Sequence, residues 1–168
     1  MIKHLTAIGL LLLVGSGSAF SQNWMNYKLD DCSCSFKLPG NEIPEIESEE
    51  DGETVIWNYT SEYGSGVYLA SYTLYNIATD YSDPIDLAKE SLSGFVGAVD
   101  GKIVREKPWE YKKHEGIQAT IQIASQNIAC QYKVLFVDQI QYQLVVMAPV
   151  GEYDNDTAKK FFASFKVK

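Results

Sequence analysis

Few side chains in this 168-residue chain are of types that perform chemistry, and their spacing is loose. His4 and His114 are its two histidines. A hydrolytic triad needs an imidazole beside a nucleophile, yet His114 lies in the polar turn Lys112-Lys113-His114-Glu115-Gly116. Gly64-Ser65-Gly66 lacks the Gly-x-Ser-x-Gly spacing of a nucleophile elbow. A transition-metal site on histidine and cysteine needs a tighter ligand cluster. The residues therefore assign no catalytic, metal or cofactor site. Paired carboxylates are the remaining route to catalysis, since two acids suffice for glycoside cleavage. Glu62, Glu106 and Glu110 lie in or near predicted strands.

The chain has three cysteines. Cys32 and Cys34 read as neighbours on one strand face. Their Cα atoms would then lie about 6.6 Å apart, at the outer edge of disulfide geometry, which disfavours a bridge between them. Cys130 falls among apolar residues. Two readings stand: Cys130 bridges Cys32 or Cys34 in an oxidising compartment, or all three are buried free thiols. No Cys-x-x-Cys redox motif occurs.

Acids crowd residues 41–53, with Glu42, Glu45, Glu47, Glu49, Glu50, Asp51 and Glu53 and no base among them. A calcium loop needs oxygen ligands in fixed register around a turn glycine. This stretch lacks that register and reads as a solvated acidic loop. Asp80, Asp83 and Asp86, and Asp154-Asn155-Asp156, suit helix starts.

Tyrosine is abundant, with 11 residues. Trp57, Tyr59, Tyr68 and Tyr72 are the candidate partner or ligand surface, because exposed aromatics stack on sugars or anchor protein partners. The alternative is that aromatics favour strands and fill half-buried positions.

Composition narrows the classes. Hydrophobic residues make up 46% and charged residues 21%, enough apolar material for a packed core. Net charge is −8 and Arg105 is the one arginine, which disfavours nucleic acid and anionic lipid as partners. Lys3, the apolar run Leu5–Val14 and the small residues Gly15–Ala19 predict a secretory signal peptide over residues 1–21, cut after Ser21 or Ala19. The run is half the roughly 20 residues of a spanning helix, so no membrane anchor is expected after cleavage. Residues 22–168 are then a single domain in a periplasmic or extracellular setting.

The pattern predicts strands over 32–38, 54–61 and 67–76. The last is apolar on both faces and so central. Asp83, Pro84 and Asp86 open a helix whose stripe is Ile85, Ala88, Leu92, Phe95 and Val99. Strands follow at 102–107, with a short one at 109–112, then at 117–123, 128–137 and 140–148. A second helix starts near Asp154 and carries Ala158, Phe161, Phe162 and Phe165. Short turns imply antiparallel pairing. The class is α+β: a curved antiparallel sheet of about six to seven strands flanked by two amphipathic helices.

This layout resembles the PsbP/Mog1 family of small α/β/α domains. The resemblance rests on Phe36-Lys37-Leu38-Pro39-Gly40, on Gly101-Lys102-Ile103 after the first helix, and on the Gly116-Ile117 strand. The closing hairpin Lys133–Ala148 and the terminal Phe161-Phe162-Ala163-Ser164-Phe165-Lys166-Val167 complete it. It implies an α/β/α sandwich and a role in binding rather than catalysis. Better-known relatives bind a photosystem assembly in one branch and a small GTPase in another. An exported chain would not meet that GTPase. No functional residue carries over. The expectation is an exported, non-catalytic binding or accessory protein acting on a protein or envelope partner. A carbohydrate or small-ligand module is the alternative, and a carboxylate hydrolase is third.

Overall fold

The computed structural model describes residues 23–40, 42–50, 52–75 and 83–168. The predicted signal-peptide segment, Asp51 of the acidic stretch, Asn76 and Asp80 lie outside the described residues. The chain runs β1 (Trp24–Leu29), β2 (Cys34–Pro39), β3 (Glu45–Glu50), β4 (Thr54–Tyr63), β5 (Gly66–Tyr75), α1 (Pro84–Ala98), β6 (Lys102–Tyr111) and β7 (His114–Ile123). It continues through β8 (Ile128–Val137), β9 (Ile140–Pro149), α2 (Asn155–Ser164) and β10 (Lys166–Val167).

Seven strands form one antiparallel sheet in the order β3-β4-β5-β9-β8-β7-β6. That is the α+β sheet the sequence predicts. The strand expected first, β2, leaves it and pairs with β1 and β10 in a separate three-stranded sheet. The two sheets and two helices make three layers. On one face of the large sheet, Ala88 and Leu92 of α1 pack on Ile117, Ile121, Cys130, Tyr132 and Val145. On the other face the small sheet and α2 bury Phe36, Leu38, Phe161 and Phe165 against Tyr68, Tyr72, Tyr142 and Leu144. Strand β5 is covered on both sides, which is why both of its faces are apolar.

Local signals place the helices. The Asp83 carboxylate accepts from the backbone N–H groups of Ile85 at 3.1 Å and Asp86 at 3.0 Å, and Pro84 follows at the first helical position. Asp154 accepts from the backbone N–H groups of Asp156 and Thr157, and the Thr157 hydroxyl donates to it at 2.7 Å. Each cap satisfies donors that a helix start leaves open. Hairpin turns fall where the backbone turns left-handed, at Gly64, Lys112 and Asp138.

Two elements differ from the sequence reading. The acidic stretch is not only loop: β3 occupies the sheet edge, with every residue exposed. Edge strands carry charge to prevent pairing with other chains, so the glutamates fit the position. The two short segments expected at 102–112 are one strand, β6. Pro108 sits within it because β6 is the opposite edge, where a missing N–H costs no ladder bond.

Candidate binding groove

The small sheet and α2 do not reach across the whole large sheet. Strands β6, β7 and β8 pair in register, so their side chains stand in cross-strand rows. Trp109, Gly116 and Leu135 form one row; Lys107, Gln118 and Lys133 form the next; Arg105, Thr120 and Gln131 form the third. The first row lies under the α2 layer, where Trp109 packs beside Phe165 with ring centroids 6.1 Å apart. Gly116 is required there, since a Cβ would stand 2.2 Å from the Val134 carbonyl oxygen. The second and third rows are uncovered and form the floor of a groove.

Phe162, Ala163, Phe165 and Lys159 from the α2 end form the wall, and Trp109 and Tyr111 close one side. This part encloses about 420 Å³. A smaller extension of about 200 Å³ runs over Arg105, Lys107 and Thr120, and the two parts share Gln118, Gln131 and Lys133. The larger volume falls within the range of small-ligand sites.

Lys133 stands at the junction. Its ammonium lies 4.8 Å from the Phe162 ring centroid and 5.0 Å from that of Trp109. Two aromatic faces partly replace the water it has lost. Burial, and then the nearby Lys107 charge, hold its pKa below the ordinary lysine value. No carboxylate lines either part of the groove. Among the described residues the ion pairs are Lys89–Asp86 and Lys159–Asp156, both on exposed helix surface. Gln118 donates to the Pro108 carbonyl at 3.1 Å, which orients its amide. The groove thus offers positive charge, amide and hydroxyl groups, and aromatic walls. That combination suits an anionic ligand with an apolar or planar part.

The candidate surface named from the sequence lies elsewhere. Tyr59, Tyr68 and Tyr72 are buried, and Trp57 is half-buried against the same cluster. They are not an exposed stacking platform, because the small sheet covers β4 and β5. Tyr59 meets Phe36 edge-on at 5.4 Å, and Tyr68 meets Phe161 edge-on at 5.7 Å. The Tyr72 hydroxyl donates to the Asp31 carboxylate at 2.5 Å. His114 begins β7 beside the Lys112-Lys113 turn, opposite Tyr111. Glu62, Glu106 and Glu110 are exposed. Strands β4 and β6 stand five strand spacings apart, about 24 Å, and Glu106 and Glu110 are about 13 Å apart along β6. Neither separation suits a glycosidase pair.

Of the two cysteine readings, the structure shows the one with three buried free thiols. Cys130 packs on the α1 side of the large sheet, whereas Cys32 and Cys34 lie in the layer on its other face. All three are free and buried.

The groove was missed in the sequence because it belongs to no single segment. Gln118, Thr120, Gln131 and Lys133 each read as the solvent side of a half-buried strand. The available signal was Arg105, Lys107, Trp109 and Tyr111 at every second position of one strand.

The chain matches no family profile, and no curated protein matches it. Among solved structures it is similar to the solution structure of cyanobacterial PsbP (CyanoP) from Synechocystis sp. PCC 6803. The TM-score is 0.60 at 9% identity, over 93% of this chain and 99% of that one. The fold is PsbP-like, as the sequence resemblance implies. A crystal structure from Bacteroides thetaiotaomicron VPI-5482 aligns over 85% of this chain and 48% of its own length, at 10% identity. Its TM-score is 0.40.

Proposed function

We propose that this chain is an exported, non-catalytic binding protein that takes an acidic segment of a partner protein into the β6–β8/α2 groove. One observation supports this most: Lys133 is held over Trp109 and Phe162, beside Lys107 and Arg105, with no carboxylate lining the site. In a chain of net charge −8, a local row of bases without acids favours an anionic occupant. The PsbP-like fold is compatible with an accessory role. The carbohydrate reading loses its proposed surface, because Tyr59, Tyr68 and Tyr72 are buried. Export rests on the predicted signal peptide, and among the described residues no helix is long and apolar enough to cross a membrane.

The test is an amide-shift titration of the mature chain with a synthetic glutamate-rich peptide containing one phenylalanine. A neutral oligosaccharide and the same peptide with glutamine for glutamate serve as the other arms. Salt-sensitive shifts confined to residues 105–111, 118–120, 131–133 and 159–165, lost in Lys133→Met, support the reading. Equal response to the glutamine peptide or the sugar, or shifts elsewhere, refute it.

A further inference from the structure

The turn between β1 and β2 brings together two groups that extended geometry would separate. Cys32 is not a strand residue. It lies in the turn, where Ser33 has φ of +49° and donates its backbone N–H to the Asp30 carbonyl at 3.3 Å. The left-handed residue curls the chain so that both flanking side chains enter the same apolar layer, Cys32 fully buried and Cys34 nearly so. There the two thiol groups come within interaction range, and each shifts the titration of the other.

The surroundings hold this arrangement. Asp31 accepts the Cys32 backbone N–H at 2.9 Å and the Tyr72 hydroxyl at 2.5 Å. The Tyr142 hydroxyl donates to the Cys32 carbonyl at 2.6 Å. The last residue, Lys168, donates its backbone N–H to the Ser33 carbonyl at 3.1 Å. The pair is therefore seated where the turn enters the central strand of the small sheet, against the core. The turn residues Asp30, Asp31 and Ser33 are exposed, so local opening of this turn, with release of β10 from Cys34, uncovers both sulfurs.

We propose that Cys32 and Cys34 form an intramolecular thiol–disulfide couple that exchanges with low-molecular-weight organic disulfides. The Cys32 thiolate attacks one sulfur of the organic disulfide, forming a mixed disulfide and expelling one thiolate, which takes up a proton. Cys34 gives up its proton and its sulfur attacks Cys32 in that mixed disulfide, expelling the second organic thiol. Two protein thiols are oxidised to one disulfide, and one organic disulfide is reduced to two thiols. The order follows from the placement: Cys32 lies in the turn, where local opening frees it first, whereas Cys34 is held in β2 between β1 and β10, and the interaction between the thiols favours ionisation of Cys32 over Cys34. Cys130 stands outside the couple, alone on the opposite face of the large sheet.

The test uses folded mature chain incubated in glutathione buffers of graded oxidised fraction. Samples are quenched in acid, denatured and alkylated. Mass spectrometry of intact protein and of the peptide spanning Cys32 and Cys34 reads the state. Labels per chain should fall from three to one as the buffer is oxidised, with loss of two hydrogens mapped to that peptide and Cys130 still labelled. Cys34→Ser should stop at a glutathione adduct on Cys32. Three labels throughout, a bridge to Cys130, a bridge between chains, or wild-type protein that accumulates only the adduct would each overturn the proposal. Because the wild-type chain carries the main readout, a variant that misfolds leaves the result intact.

Discussion

Replacing Phe165 by alanine tests whether the end of α2 is the clamp that roofs the core and walls the groove. The ring is 3% exposed. Its centroid lies 5.5 Å from those of Tyr111 and Tyr142 and 6.1 Å from that of Trp109. Deleting a buried phenylalanine side chain costs about 3–5 kcal/mol, from lost transfer energy and the cavity left behind. The three ring partners come from β6 and β9, both fixed in the large sheet, so little collapse can fill the space. We therefore expect the upper half of that range, about 4–5 kcal/mol. Against a domain stability of about 5–15 kcal/mol, such a loss moves a urea midpoint by roughly 2 M at an ordinary slope. Trp109 sits against the removed ring, so tryptophan fluorescence reports the transition. The midpoint should fall with the slope unchanged. A loss under about 1 kcal/mol would mean that Phe165 is not docked, and the groove would then lack its wall.

Lys133→Met should leave the urea midpoint at or near that of wild type, because relief of the buried charge offsets two cation–π contacts of about 0.5–2 kcal/mol each. The same variant should abolish the salt-sensitive peptide shifts, a split that a purely structural lysine would not produce. Burial raises the pKa of Tyr68 to about 12 and pushes Tyr72, Tyr132 and Tyr142 upward as well. Raised acids give stability that is complete below the unfolded value near 10 and is lost as pH climbs through the folded values. Alkaline denaturation should begin above about pH 10, with these phenols ionising together with unfolding by ultraviolet titration; gradual ionisation in a folded chain would contradict their burial. Tyr153→Phe should stabilise or leave unchanged, since its buried hydroxyl has no hydrogen-bond partner, and a loss above 1 kcal/mol in the same melt would reveal one.

The helices were legible because their signals are local. Asp83-Pro84 and Asp154 announce caps within one turn of chain, and the stripes Ala88–Leu92 and Phe161–Phe165 follow at helical spacing. Strand β5 was legible because an element covered on two sides must be apolar on both. Strand β3 was hidden for the opposite reason. An edge strand paired only to β4 buries nothing, so its residues answer to solubility rather than packing. The cysteine geometry was misread at one residue. An extended Ser33 parts the thiols and a left-handed Ser33 joins them, and serine carries no strong signal for that choice.

The groove shows why net charge is a poor guide to a surface. Strand β6 alternates Arg105, Glu106, Lys107, Pro108, Trp109, Glu110 and Tyr111, so a period of two sorts its bases and rings onto one face and its acids onto the other. Pairing with β7 and β8 sets Gln118, Thr120, Gln131 and Lys133 beside those bases and adds no carboxylate. At the far edge of the same sheet, β3 carries Glu45, Glu47, Glu49 and Glu50. Five sheet strands lie between these acids and Arg105 and Lys107, and three between them and Lys133, a distance of roughly two to four Debye lengths at physiological salt. A chain that sums to −8 therefore presents a positive floor to whatever enters the groove. On the proposed reading, affinity for acidic segments would be governed by Lys107 and Lys133 at close range rather than by the total.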